Sequence, residues 1–589
     1  MIRSNYYEDN PDLQRHVDAF IDWNEIVELY EDGFRDAKEY DESGDERLAF
    51  APRSVEEAVE YYKQILDGYG DLSGKEISQI AQDMDSQGLK FENGQVTHPP
   101  EFEELFVKFQ DAGLHPVGFE RKYGGLGLPH IVKALAFEIA YRADTAFSIA
   151  AGSVNLAAIM EMYASPEMCE KWLPKLIGEK YTVTMGLSEP DFGSDLPNVR
   201  TTAERSGDQW LLTGTKRFQT MACGVNGHPS ALLILARTGG PESGARGLSF
   251  FLVEGQHVEV TGLEKKLGLK ASATCEVAFE KAPGHLIGEE GHGLSRYVIG
   301  MLNGARMSVA SQGTGMATAA YYEARKYASE RIQFGKPIAE IPAVKRMLRR
   351  MEREIAGMRA LMIEAATSVD RYHWRALRMK EAQTPEREIR SDAQIRKWEK
   401  FANVITPMSK YYISEMCNSL IYDALQVFGG SGYCEEYDVA RLYRDARITN
   451  IYDGTTQIQV NAAIGGITAG MSAKGNFREY LDQMFEKIPV SALLPELRAN
   501  FEQTVEAYKG LPNAETKGEL SFEVVHSATR LVIGLLLEKT AQKLEGEARA
   551  ERLQLAHEYN VDSEAILAGN LIRMRRAVDP AAKPVAVAG

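Results

Sequence analysis

The chain has 589 residues, 44% of them hydrophobic, and a formal net charge of −17. Such length and composition describe an ordered, water-soluble protein with several domains or layers. The acidic balance excludes nonspecific nucleic-acid binding, which needs a field of Lys and Arg to displace counterions from phosphates, so no DNA or RNA partner is expected.

In chain order, residues 1–48 read as an N-terminal extension without the apolar core of a secretory leader. Residues 49–183 read as helices, for instance "SVEEAVEYYKQILDGY", with apolar residues returning every three or four positions. The longest apolar run, Thr145 to Met160, is short for a bilayer span, and no integral membrane segment is expected. The five cysteines (Cys169, Cys223, Cys275, Cys417, Cys434) are scattered, odd in number and without CxxC spacing, which points to a reduced, cytoplasmic protein. From 184 to 290 the pattern changes to short β runs such as "QWLLTGTKRF", "SALLILART" and "GLSFFLVE", separated by Gly, Pro and polar turns.

Helical periodicity resumes over 291–466, with a charged interruption near "KEAQTPEREIR". Gly465, Gly466, Gly470 and Gly475 then punctuate the chain, and a C-terminal helical extension follows over 467–575. Its apolar "LVIGLLL", Leu531 to Leu537, reads as a buried helix face rather than a membrane contact; residues 576–589 read as a disordered tail.

Strands confined to the middle of a helical chain cannot build a doubly wound βαβ sheet, which needs regular alternation. The expected fold is mainly α with a central β domain: α domain, β domain, α domain, then the helical extension. Neither "GTGMAT" nor "GGSGYC" completes GxGxxG, and there is no P-loop, HExxH or His/Cys pair at metal-ligand spacing, so no metal is expected. Ser188 in "GLSEP" lacks the second glycine of a nucleophile elbow. One carboxylate stands out. Asp453, in "ITNIYDGTTQIQV", is placed either to cap a helix by accepting from its free N–H groups or to act as a base.

Five stretches, in order, resemble the acyl-CoA dehydrogenase family over roughly residues 50–465: "TVTMGLSEPDFGSDLPNVRTTA", "GTKRFQT", "EKKLGLKASATCEVAFE", "ERIQFGKPI" and "LQVFGGSGYCEEYDVARLYRDARITNIYDGTTQIQ". The family is built as α, β and α domains and holds FAD without a Rossmann fold. The length and helical extension resemble members acting on 3-methylthiopropionyl-CoA and on fatty acyl-CoAs.

By this resemblance, Met185, Leu187, Ser188, Gly193 and Ser194 line the flavin and the acyl thioester, Ser194 serving substrate as well. Phe218 packs on the flavin ring and Thr220 donates toward N5; read locally, the first could be plain core and the second a turn residue. Arg331, Gln333 and Phe334 correspond to residues that meet the FAD pyrophosphate and adenine across a subunit boundary, and Gln426, Gly429 and Gly430 to a turn against the same cofactor. Thr455 and Gln457 complete the FAD site, while Asn303 and Arg306 lie near substrate and CoA, Asn303 replacing a common aspartate.

Asp453 stands where most of the family carries a glutamate that removes the α-proton as the β-hydrogen leaves as hydride. The alternative position for a base, just before the substrate arginine, holds Ala305. Aspartate reaches about 1.5 Å less, and misplacement on that scale lowers rates by ~10²-fold unless something compensates. The expected function is FAD-dependent oxidation of an acyl-CoA to the 2-enoyl-CoA by a homodimer or homotetramer, with electrons passed to an electron-transferring flavoprotein. The alternatives on the same fold are an oxidase of a small carbon acid such as a nitroalkane and a non-catalytic flavin-binding assembly protein.

Overall fold

A computed structural model describes residues 1–578. Of the expected tail, residues 576–578 close the last helix, and 579–589 lie outside the described residues.

The β pattern becomes seven strands: β1 (Thr182–Gly186), β2 (Thr202–Ser206), β3 (Gln209–Thr220), β4 (Ser230–Arg237), β5 (Leu248–Glu254), β6 (Glu259–Leu263) and β7 (Thr274–Leu286). β4, β2, β3, β7 and β5 pair in turn and β5 returns to β4, closing a ring; β1 adds to β4 in parallel and β6 to β7 antiparallel. β4 and β5 read as continuous apolar runs rather than alternating ones because both faces are covered: Leu232, Ile234, Phe251 and Val253 pack into one hydrophobic cluster, and Leu233, Leu235, Phe250 and Leu252 into a second. A two-stranded hairpin, Lys90–Glu92 with Gln95–Thr97, interrupts the first helical region. The sequence reading did not mark it, although "ENGQ" carries the Asn-Gly signal of a tight hairpin turn.

The helices α1 (His130–Ala143), α2 (Ile299–Glu330), α3 (Pro342–Glu381), α4 (Ala393–Phe428) and α5 (Thr456–Gly470) pack on one another, α2 against α1, α3 and α4, and α4 against α3 and α5. α2 is buried on most sides, and small residues let its neighbours approach: a Cβ on Gly315 would sit 2.5 Å from the Glu138 carbonyl oxygen of α1. The charged interruption is the end of α3, a short helix at Glu386–Ser391 and the start of α4. Gly465 and Gly466 were expected to break the chain; both instead lie inside α5, where Gly466 admits the Val404 side chain at a distance no Cβ would allow.

The extension contains α6 (Ala514–Ala541) and α7 (Gly546–Val578). By length and composition α6 could cross a membrane, yet Leu531 to Leu537 are each at most 3% exposed, packed within the protein. The buried Arg530 fastens it, donating to the Tyr412 hydroxyl of α4 (2.9 Å), to Ser563 Oγ (2.9 Å) and to the Tyr559 carbonyl (3.3 Å). The first residues of the N-terminal extension are tied to the helical body. The Met1 amine meets Asp438 at 2.8 Å, and Asp12 pairs with Arg359 of α3 and, at 2.7 Å, with Arg552 of α7.

Candidate active site

Asp453 precedes α5 but does not cap it. Its φ is +51°, and the helix starts at Thr456 with Thr455 as N-cap, whose Oγ1 accepts from the Ile458 N–H at 3.4 Å. The cap reading therefore moves two residues down the chain, and Thr455, expected at the cofactor, has a structural role. The Asp453 carboxylate accepts no hydrogen bond from any described residue, whereas its backbone is gripped. Gln459 Nε2 donates to the carbonyls of Asp453 (2.9 Å) and Gly454 (3.1 Å), and Lys410 Nζ donates to the Gly454 carbonyl at 2.6 Å. Glycine at 454 is required twice over: φ is +88°, and a Cβ would lie 2.6 Å from Gln459 Nε2.

This grip extends to the expected substrate residues. Arg306 Nε donates to Gln459 Oε1 (2.9 Å) and its terminal nitrogen to Asn303 Oδ1 (3.0 Å). Asn303 in turn donates to Asn403 Oδ1 (3.0 Å) and the Tyr372 hydroxyl (3.3 Å), and accepts from Thr406 (2.8 Å). An amide can both accept and donate, so Asn303 completes a chain of partners that a carboxylate could only receive. The order Lys410–Gly454–Gln459–Arg306–Asn303 thus joins α4, α5 and α2 around one carboxylate.

Burial raises the Asp453 carboxyl above the ordinary aspartate range, with the Lys410 charge opposing. Burial lowers Lys410 to about 8, the Asp453 and Glu415 charges opposing. Burial likewise lowers Arg306, to about 10, against a smaller opposing effect of Tyr372. Tyr452 donates to Gln312, and the Tyr141 hydroxyl shares a hydrogen bond with Ser308 Oγ (3.0 Å). Both tyrosines are raised chiefly by burial and further by the Asp453 charge.

The flavin-side candidates gather on one face of the barrel. A bulge between Lys216 and Gln219 breaks the β3–β7 register, and inside it Phe218 adopts φ +63° and stands 55% exposed. Bulges re-aim side chains, and this one turns the ring out of the core, overturning the plain-core alternative for Phe218. Thr220 ends β3 opposite Thr274 rather than forming a turn. Met185 lies near the end of β1, followed by Leu187 and Ser188; the latter's carbonyl accepts the Arg217 N–H at 3.0 Å.

Two motif residues hold this face in place without being aimed at it. Buried Lys216 pairs with Glu189 at 2.9 Å and donates to the Leu187 carbonyl at 3.0 Å, while Glu189 also accepts the N–H groups of Arg200 (2.7 Å) and Thr201 (2.8 Å). The hydroxyls of Ser188, Ser194 and Thr220 form no hydrogen bond among the described residues, and Gly193 and Ser194 are exposed. An outward aromatic ring, free hydroxyl donors and a braced main chain fit the face and rim of an isoalloxazine.

Arg331, Gln333 and Phe334 form an exposed hairpin after α2, Phe334 being 92% exposed. Gln426, Gly429 and Gly430 end α4 about a hundred residues later, and Tyr327 stacking on Phe428 at 4.4 Å brings the two stretches together. Nothing crowds a Cβ at Gly429 or Gly430, although φ at Gly429 is +61°. Gln457, exposed at the start of α5, donates its amide to Asn461 Oδ1 (3.0 Å) and to Ser521 Oγ (3.1 Å) of α6. Lys410, Gln459 and Asn403 were missed; the one available signal was a lone lysine within the apolar helical run "VITPMSKYYI".

Three family models match in series: "Acyl-CoA dehydrogenase, N-terminal domain" over 60–180, "middle domain" over 184–282 and "C-terminal domain" over 291–467. The chain is 34% identical to a 3-methylmercaptopropionyl-CoA dehydrogenase of Ruegeria pomeroyi over 69% of this chain and 72% of that protein. It is 32% identical to a cyclohex-1-ene-1-carbonyl-CoA dehydrogenase of Syntrophus aciditrophicus, over 71% and 92% respectively. Its fold matches an acyl-CoA dehydrogenase of Bacillus anthracis complexed with FAD, with a TM-score of 0.73 over 88% of both chains at 20% identity.

Proposed function

The chain belongs to the acyl-CoA dehydrogenase family, FAD-dependent oxidoreductases acting on CH–CH bonds, and from that premise we propose that it oxidises an acyl-CoA thioester to the 2-enoyl-CoA with Asp453 as base. The observation that carries this reading is the free carboxylate: Asp453 is half-buried, raised above the ordinary aspartate range by loss of solvent, relieved of capping by Thr455, and held by its backbone alone. A general base works best when its pKa approaches the operating pH and its lone pairs are uncommitted.

FAD, when bound, supplies the acceptor for the β-hydride. The remaining work belongs to this chain. Lys410 and Gln459 fix the main chain that carries the base. The Asp453 carboxylate takes the α-proton, and its N–H binds the thioester carbonyl as charge develops there. Phe218, Ser188 and Thr220 bind and orient the ring, and the Arg331–Phe334 hairpin with the Gln426–Gly430 turn serves the cofactor of a neighbouring subunit, which makes the enzyme at least a dimer. Electrons then pass to an electron-transferring flavoprotein.

The acyl group we propose is small. Tyr141 with Ser308 and Tyr452 with Gln312 place two hydrogen-bonded polar pairs beside Asp453, and the two relatives described above are named for compact acyl groups. Anaerobic titration of the flavin with a panel of linear, sulfur-containing and cyclic acyl-CoAs, and with nitroalkanes, tests the reading. Bleaching by a short or cyclic thioester is expected; bleaching by a nitroalkane alone, or by nothing, refutes it.

A further inference from the structure

Only two residues of α1 are not buried, Lys133 and Phe137, and with Tyr141 they stand four apart on one face of the helix. Tyr141 marks where that face meets the candidate active site, because its hydroxyl shares a hydrogen bond with Ser308 Oγ at 3.0 Å and the Asp453 charge bears on it. The Phe137 ring comes next, its centroid 5.8 Å from that of Tyr141. Opposite it is Gly152, where a Cβ would lie 3.7 Å from Phe137 Cε1. The ring therefore spans the space between α1 and the segment facing it.

That segment carries a matching pattern. Ile149, Gly152, Leu156 and Ile159 recur at spacings of three and four, and each stays half-buried. The two walls run antiparallel: Phe137 meets Gly152, and one turn earlier on α1 the charge of Glu161, two residues past Ile159, bears on Lys133. A groove with apolar walls leads away from the Tyr141–Ser308 pair, about 6 Å along α1 to Phe137 and about 12 Å to Lys133. Its far end is polar. The Lys133 amine forms no hydrogen bond or ion pair among the described residues, and Asp370, the other carboxylate bearing on it, already accepts from the His130 ring and from the N–H groups of His130 and Ile131.

We propose that Phe137 is the stop that sets the acyl length, closing the groove one turn of α1 beyond Tyr141 and so confining the site to short or compact acyl groups. The inference rests on the dehydrogenase reading for its ligand, but its test does not need turnover. A chain too long for the space before Phe137 must displace a ring packed between Tyr141 and the main chain at Gly152. With the ring removed, an alkyl chain runs one further turn of α1 between apolar walls, until it meets the Lys133 amine, which an alkyl end cannot solvate.

Calorimetry of the holoenzyme with a series of S-alkyl-CoA thioethers, which have no thioester carbonyl to activate, reads the groove directly. In the parent, affinity is expected to rise about fourfold per added methylene and to level off at the length that reaches Phe137. In Phe137→Ala the rise should continue for about four further carbons, one turn of α1, while binding of the S-ethyl analogue and the flavin absorbance stay as in the parent. Should that variant lose its fold, Phe137→Leu with the same series serves, the break moving outward by fewer carbons. A break at the same length in parent and variant overturns the proposal, as does a uniform loss of affinity at every length or a parent that binds no thioether more tightly than coenzyme A. A break that moves as expected in a protein whose flavin no thioester bleaches would refute the dehydrogenase reading and leave this one standing.

Discussion

Asp453→Asn separates catalysis from folding, because the structure assigns the helix cap to Thr455 and leaves the Asp453 carboxylate unbonded. The amide is isosteric and cannot take a proton. Loss of a positioned base costs ~10²- to 10⁴-fold in rate, which is about 3–5 kcal/mol of barrier. The same change removes no hydrogen bond from the native state, so stability and flavin content should hold. Thr455→Ala has the opposite profile. It deletes the acceptor for the Ile458 N–H and should cost about 1 kcal/mol at the start of α5, while leaving the base in place. Stopped-flow flavin reduction under anaerobic conditions measures the first effect; hydrogen exchange at the amides of the first turn of α5 measures the second. Asp453→Asn reducing the flavin as fast as the parent, or unfolding as Thr455→Ala does, would refute the assignment of the two roles.

The pH dependence carries a sign. Asp453 must be ionised to act, so flavin reduction should rise with pH along a limb above the ordinary aspartate range. Lys410→Met removes the cation that opposes the burial shift, and the limb should move further up while flavin content stays constant; a limb that stays put means Lys410 does not act on the base. In the barrel, Glu189→Ala strands the buried Lys216 amine and the amides of Arg200 and Thr201, a loss of about 3–5 kcal/mol. Lys216→Met leaves Glu189 with both backbone donors and should cost less in a denaturant midpoint; equal or reversed costs would contradict this account of the Lys216–Glu189 pair. Cutting the chain near Gly475 uncovers the partners of Leu531, Val532, Ile533, Leu535 and Leu537, each worth about 1.5–3 kcal/mol of burial, so light scattering should report aggregation. A soluble, active truncation would make the extension an independent module.

The layered order of helices, barrel and helices was legible in the sequence because periodicity is a local property: β4 and β5 read as apolar runs and α2 to α5 as helical repeats wherever they come to lie. The same is true of the motifs, which marked Asp453, Arg306 and Phe218 as residues to find near one another. Their surroundings were fixed by contacts that no local pattern encodes. The cap passed from Asp453 to Thr455 because the chain turns left-handed at Asp453 before entering α5. Phe218 faces outward because one register slip against β7 rotates it, and strand alternation alone cannot show a bulge. Gln457 was claimed by Ser521, and Lys410 met Gly454, across separations of 64 and 44 residues. A hydrogen bond between groups so far apart in the chain exists only once packing has brought their helices together, which is why the carboxylate could be read from the sequence and the grip around it could not.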